Sequence, residues 1–371
     1  MGECKHCGKT EITVSDVIGF CADCIRLHFD ELWKDIKRVH DETRSFHGLP
    51  TDPPRAENGI RCPLCFHGCE IAEGGRGFCS IRRVENGKLR GGRPQEGNLT
   101  YYFDPLPTNC VADFVCPAGQ SCGYPEYSVA TGPEYGYRNL AVFYQACSFN
   151  CLYCQNYHYR DDAHSGVRVT AEELADAADE RCSCICYFGG DPTPQILHAL
   201  KASRRALSSA ANEERILRIC WESNGSAQLP FLKIMAGLSL ESGGCIKFDI
   251  KAWDEGIHLA LCGVSNSHTL GNVRYLSALI GKRPDPPLFI ASTLLVPGYV
   301  DIEEVSAIAN FLAKLNTNIP YRLLAFHPTF RLTDLPRTSA AHATRCRDAA
   351  LKAGLRRVSI GNTNLLSNDY A

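Results

Sequence analysis

Three cysteines fall within eight residues, Cys147-x3-Cys151-x2-Cys154, directly after an apolar, strand-like run from Leu140 to Tyr144. On so short a loop the three thiolates can converge on one metal centre, and the surrounding chain must fold to support it. A structural zinc ion takes four N or S ligands, so zinc here would need a fourth, with His158 and His164 close by in sequence. A four-iron cubane held by three cysteines instead leaves one iron without a protein ligand. That iron can hold a substrate or cofactor. Spacing alone leaves both readings open.

The other cysteines sharpen the question. There are 21 in 371 residues, mostly in close pairs and triplets, which favours metal ligation over the disulfides of a small secreted domain. Residues 1–50 carry Cys4-x2-Cys7 and Cys21-x2-Cys24, separated by 13 residues, the signature of a zinc ribbon. Its basic residues are balanced by Glu3, Glu11, Asp16 and Asp23, so a structural or docking role is expected and nucleic acid is not. Ile25, Phe29, Leu32, Trp33, Ile36 and Val39 then recur at helical spacing, before a proline-rich linker at Leu49–Pro54. Residues 55–100 hold Cys62-x2-Cys65-x3-Cys69-x9-Cys79, four ligands for a zinc ion or an auxiliary cluster. Residues 101–137 read as an irregular connecting segment with Cys110, Cys116 and Cys122. These three suggest either an auxiliary iron–sulfur cluster or buried free thiols.

Charge adds exclusions. With 39 basic and 41 acidic residues the net charge is −2, so no global field draws the chain to nucleic acid or anionic lipid. No run of ~18 apolar residues predicts a membrane span. The first residues lack an apolar secretory core, and a reducing, cytoplasmic setting is expected.

From residue 138 to 371 the pattern changes. Seven apolar runs, at Leu140–Tyr144, Ile185–Phe188, Ile216–Trp221, Ile246–Ile250, Leu288–Val296, Tyr321–Phe326 and Arg357–Ile360, alternate with helical patterns. Thr170-x-x-Glu173 is a capping box. This is an α/β arrangement, predicting a partial or full parallel β/α barrel preceded by small cysteine-rich metal-binding modules. Sites in such barrels form at the carboxyl ends of the strands, and there the chain places Gly189-Gly190-Asp191-Pro192, Glu222-Ser223-Asn224-Gly225, Asp249-Ile250-Lys251, Pro297-Gly298 and Phe326-His327-Pro328.

The stretch from Cys147 to Cys154, with Tyr153 as its aromatic, resembles the C-x3-C-x-aromatic-C loop of radical S-adenosylmethionine (SAM) enzymes. Gly189–Pro192 resembles their GGEP motif, with Asp191 in place of Glu. Glu222–Gly225, Asp249-x-Lys251 and the run from His258 through Cys262-Gly263-Val264-Ser265-Asn266 resemble segments of the branch related to the pyruvate formate-lyase activating enzyme. The resemblance implies a [4Fe–4S] cluster on Cys147, Cys151 and Cys154, and a SAM pocket drawing on Tyr153, Gly189, Gly190, Asp191, Glu222, Asn224, Asp249, Lys251 and His327. It further implies an electron donor of flavodoxin or ferredoxin type. Some activases carry an arginine shortly before the Pro-Gly turn; this chain has Ala291-Ser292-Thr293-Leu294-Leu295. The expected function is reductive cleavage of SAM to a 5′-deoxyadenosyl radical that takes hydrogen from an unidentified substrate. The alternatives are a glycyl-radical activase acting on a partner protein, and a zinc-ribbon scaffold or nucleic-acid binder without catalysis.

Overall fold

In a computed structural model, residues 1–120, 122–163 and 166–371 are described. Nine strands make the main sheet: β1 (Glu96–Pro105), β2 (Arg138–Tyr144), β3 (Arg168–Thr170), β4 (Cys182–Gly189), β5 (Arg218–Ser223), β6 (Ile246–Asp249), β7 (Phe289–Leu295), β8 (Tyr321–Ala325) and β9 (Val358–Gly361). Their spatial order is β9-β8-β7-β6-β5-β4-β2-β1-β3. The seven strands from β2 through β9, β3 aside, are parallel to one another, and they are the seven apolar runs of the sequence. The sheet has two edges, so the barrel is partial. Helices cross between successive parallel strands and bury their apolar faces against them, which is why those strands read as continuous apolar runs rather than alternating ones.

One expectation is corrected at the amino edge. The segment beginning at residue 101 is not irregular throughout: β1 runs to Pro105 and pairs antiparallel with β2, Leu99 facing Tyr144 and Pro105 facing Arg138. Its outer residues Tyr101, Tyr102 and Phe103 are exposed, so the alternation that flags a half-buried strand is lost in a run of aromatics. Beyond β1 the chain turns under the barrel, where Glu134 and Arg218, both fully buried, form a two-bonded ion pair at 2.8 and 2.5 Å.

The ribbon packs on the barrel. Gly2–Glu3 pairs antiparallel with Thr10–Glu11, and helix α1 (Ala22–Phe46) follows the second knuckle. Ile25, Leu32 and Ile36 of α1 are buried, and Phe29, Trp33 and Val39 pack against the same core as the barrel residues. The Ser15 N–H donates to Tyr299 Oη at 3.0 Å. Gly298 has φ +78°, and a Cβ there would lie 2.1 Å from the Thr13 carbonyl oxygen. The Pro297-Gly298 turn after β7 is therefore the seat of the ribbon.

Candidate active site

The loop after β2 carries the three cysteines. Asn150 N and Leu152 N donate to the Cys262 and Leu261 carbonyls at 2.9 and 3.0 Å, and Arg331 N donates to Leu152 O at 2.9 Å. From the other side, Gly190 N and Asp191 N donate to Tyr144 O and Ala146 O at 3.0 and 2.8 Å. The glycines permit that approach. Gly189 has φ +103°, and a Cβ on Gly190 would sit 2.1 Å from Ala146 O. The accessory modules brace the loop as well: His40, on α1, meets Asn150 Nδ2 at 3.0 Å, and His67 Nε2 donates to Ser148 O at 2.7 Å.

Cys147, Cys151 and Cys154 line one cavity of about 950 Å³, open to solvent. Tyr153, Gly189, Gly190, Asp191, Glu222, Asn224, Asp249 and Lys251 line it too. His327 does not: it is exposed and its nearest polar partner is Thr329, at 3.4 Å. His158, one of the two fourth ligands considered for zinc, is exposed and lies with its ring tilted against Tyr157, outside the residues that line this cavity; His164, the other, lies outside the described residues. Burial raises all three loop thiols, with Cys262 the larger cause at Cys151.

Asp191 is the organiser of the strand ends. It is 1% exposed, and its carboxylate accepts from Thr193 N, Ser223 Oγ and Asn224 N, each at 2.8 Å. Burial raises its pKa, against the pull of these donors. Asn224, so held, donates to Cys147 Sγ at 3.5 Å and Ser148 Oγ at 3.2 Å. On the next strand Lys251 pairs with Asp249 at 2.5 Å, and Ser292 Oγ donates to the other Asp249 oxygen. Burial opposes the Lys251 charge, but Asp249 and the Cys151 and Cys262 sulfurs outweigh it and hold the pKa above the usual range.

Two residues here were not among the expected site residues. Cys262 Sγ is 3.4 Å from Cys151 Sγ and 3.5 Å from Tyr153 Oη; its signal was its place at the head of the Cys262–Asn266 run. Arg160 is fully buried beside the loop, bonding Asn150 Oδ1 and Cys151 O at 3.3 and 3.4 Å. Nothing in its local sequence marks it.

The remaining cysteines divide. The ribbon sulfurs of Cys4, Cys7, Cys21 and Cys24 all lie within 4.8 Å of one another, close to the ~3.8 Å that Zn–S bonds of about 2.3 Å impose on a tetrahedron. Burial raises the Cys4 thiol, but backbone N–H groups of Cys21, Cys7 and His6 outweigh it and bring it down to about 6, which favours the thiolate that a metal would need. Among the described residues, no three of Cys62, Cys65, Cys69 and Cys79 come so close together. Cys110 and Cys116 line a second cavity under the barrel, while Cys122 Sγ turns to the Val115 carbonyl at 3.1 Å.

Three thiols face one cavity, Arg160 Nε and Nη1 beside them have no hydrogen-bond partner, and the Glu222 carboxylate at the cavity is met by Lys247 Nζ, 3.4 Å from its Oε2. Unsatisfied donors and a carboxylate stand where an anionic cluster and a cationic ligand group would sit, and the residues fit both. Residues 141–312 match the model of the Radical SAM superfamily.

The chain carries a radical SAM superfamily domain.

The family implies a [4Fe–4S] cluster and SAM. Among relatives, an uncharacterized protein of Methanocaldococcus jannaschii is 27% identical over 313 residues, 82% of this chain and 82% of its own length. The pyruvate formate-lyase 1-activating enzyme of Escherichia coli (strain K12) is 32% identical over 162 residues, covering 43% of this chain and 60% of that enzyme. A solved domain of pyruvate-formate lyase-activating enzyme from Bacteroides vulgatus aligns with TM-score 0.38 and 19% identity, covering 48% of this chain and 98% of that one. Among the described residues no helix is long and apolar enough to cross a membrane.

Proposed function

We infer that this radical SAM domain cleaves SAM reductively and takes a hydrogen atom from a substrate held at the barrel mouth. The observation that carries the reading is the single cavity lined by Cys147, Cys151, Cys154 and the strand-end residues Asp191, Glu222, Asn224, Asp249 and Lys251. When bound, the cluster and SAM supply, with one electron from a flavodoxin- or ferredoxin-type donor, methionine and a 5′-deoxyadenosyl radical.

The chain's part is to bind and position. Cys147, Cys151 and Cys154 hold the cluster. Asn224 donates to the Cys147 sulfur, and the Arg160 guanidinium offsets negative charge beside the loop. Glu222, ion-paired with Lys247, presents its carboxylate at the cavity to the amino group of the methionine moiety. Asp191 orients Asn224 and Ser223 without needing to touch the cofactor. Tyr153, Phe149 and Tyr159 wall the cavity and limit water around it. Cys4, Cys7, Cys21 and Cys24 bind zinc and seat the ribbon on the β7 turn.

A partner protein is the second reading for the substrate, supported by the name of the Escherichia coli relative. Ser292, bonded to Asp249, stands near the place where some activases carry arginine, which favours a different substrate-side chemistry. Anaerobic, iron-loaded protein given dithionite and SAM should release 5′-deoxyadenosine. The Cys147→Ala, Cys151→Ala, Cys154→Ala protein should release none, and continued release by that variant would overturn the reading.

A further inference from the structure

We propose that the amino-terminal end of the barrel holds a second iron–sulfur cluster, ligated by Cys110, Cys186, Cys220 and Cys245. The inference rests on a different cavity and does not depend on SAM cleavage.

A cavity of about 500 Å³ lies beneath the strands, lined by Cys110, Cys116, Cys184, Cys186, Cys220 and Cys245. The strand cysteines point inward by alternation, and the segment carrying Cys110 and Cys116 closes the chamber from below. Cys186 and Cys220 are register partners on β4 and β5. Cys245 Sγ lies 3.9 Å from Cys220 Sγ. Lys247 Nζ donates to Cys110 Sγ at 3.1 Å and Cys186 Sγ at 2.9 Å, which ties the other two thiols to the same centre.

Lys247 argues that this is more than a sulfur-rich core. Its side chain is 1% exposed, and its carboxylate partner, Glu222, is an ion pair at 3.4 Å. Its hydrogen bonds go to sulfur. Neutral thiols are weak acceptors, and an ammonium taken out of water needs strong, negatively charged ones. Thiolates bound to a cluster supply that charge, and donors to cluster sulfur are a recurrent feature of iron–sulfur sites. Thiolate sets select zinc, copper(I) or iron–sulfur. Zinc would draw four sulfurs to ~3.8 Å of one another; among the described residues no three of these lie within 4.8 Å, whereas the ribbon's four do. Cys220 and Cys186 each stand two residues before Glu222 and Phe188, which line the upper cavity. The two cavities are thus offset by about one pleat, ~7 Å, along the strands, with the Glu222–Lys247 pair between them.

The test uses full-length protein with Cys147, Cys151 and Cys154 replaced by Ala, reconstituted anaerobically with ⁵⁷Fe and sulfide. Adding Cys220→Ala and Cys245→Ala should remove about four irons and four sulfides per chain and the matching Mössbauer quadrupole doublet. Unchanged iron and sulfide, or zinc in their place, would overturn the proposal. Should the added substitutions prevent folding, read by circular dichroism, the unmutated protein decides. Iodoacetamide should spare Cys110, Cys186, Cys220 and Cys245 in reconstituted protein and label them once a chelator has bleached it. Equal labelling before and after would also overturn it.

Discussion

The two ends of the barrel are built on the same strands and use different chemistry. At the carboxyl end the cavity is walled by turns and loops: the cysteine loop, Gly189-Gly190-Asp191, and the Asp249–Lys251 pair. At the amino end the same strands present single side chains two residues earlier: Cys186 below Phe188, Cys220 below Glu222, Lys247 below Asp249. The upper site is held by polar bonds converging on Asp191. The lower is held by sulfur around one buried ammonium and closed by a segment anchored through Glu134 and Arg218. The two sites share strands but draw on different side chains, two residues apart, so a change at one end need not be felt at the other.

The largest separation of the two ends should come from Asp191→Ala. It strands three donors, at Thr193 N, Ser223 Oγ and Asn224 N, each costing about 1–3 kcal/mol when left unmet. Asn224 then loses its place against Cys147. We expect 5′-deoxyadenosine formation by iron-loaded protein to fall roughly 100-fold or more, about 2.7 kcal/mol. A fall of less than about threefold, below ~0.7 kcal/mol, would show that Asp191 organises nothing the reaction needs.

The same contrast explains what was readable in advance. Seven strands were visible because strands buried on both faces are unbroken apolar runs. The upper site was visible because its residues are contiguous in sequence: turns need Gly and Pro, and a loop of three thiolates has a spacing. The lower chamber has no spacing, since β4 offers Cys184 and Cys186, β5 one cysteine, and Cys245 stands alone before β6. Only the register of the sheet brings them together. Arg160 was invisible for the same reason. The glycines at 189 and 190 were legible as glycines but not in role: the atoms that exclude a Cβ there belong to the Tyr144–Ala146 backbone.

Glu134→Ala tests the floor of the lower chamber. Removing one partner of a buried ion pair costs about 3–5 kcal/mol, and here the Arg218 guanidinium, Ser183 and Val129 N all lose their acceptor. We expect the urea midpoint to drop accordingly. Protein still folded in dilute buffer should lose iron from the lower site before the upper one. Denaturation at the unsubstituted midpoint would mean that the closing segment is not held by this pair.

The upper loop is also braced from outside, and that brace titrates. Burial brings His67 down to about 4, with the Arg44 and Arg55 charges acting in the same direction. Its folded pKa lies below the unfolded value of about 6.5, so the unfolded chain takes up the proton first as pH falls. Stability is then full above about pH 6.5 and is lost as pH drops toward 4, by about 1.4 kcal/mol per unit for this one group. Glutamine keeps a donor for the Ser148 carbonyl and removes the titration. The difference in stability between pH 7.5 and 5.5 should therefore shrink by about 1.4 kcal/mol in His67→Gln. Parallel pH profiles for the two proteins would show that His67 is protonated or exposed when folded.

The smallest expected effect lies at the substrate side of the upper cavity. Ser292 Oγ donates to Asp249 Oδ1 at 2.5 Å, while the other Asp249 oxygen holds Lys251. Ser292→Ala removes one hydrogen bond to a charged acceptor, worth about 1.5–3 kcal/mol when fully sheltered and less here, because Asp249 is 26% exposed and the cavity is open. Water can replace the lost donor, so the fold should hold within about 1 kcal/mol. If Asp249 and Lys251 only position the ligand, KM for SAM should rise about threefold with kcat nearly constant, because an interaction equally strong in ground and transition states moves KM alone. If kcat falls instead, the Asp249–Lys251 pair acts on the reacting atoms and belongs to the chemistry rather than to the cradle.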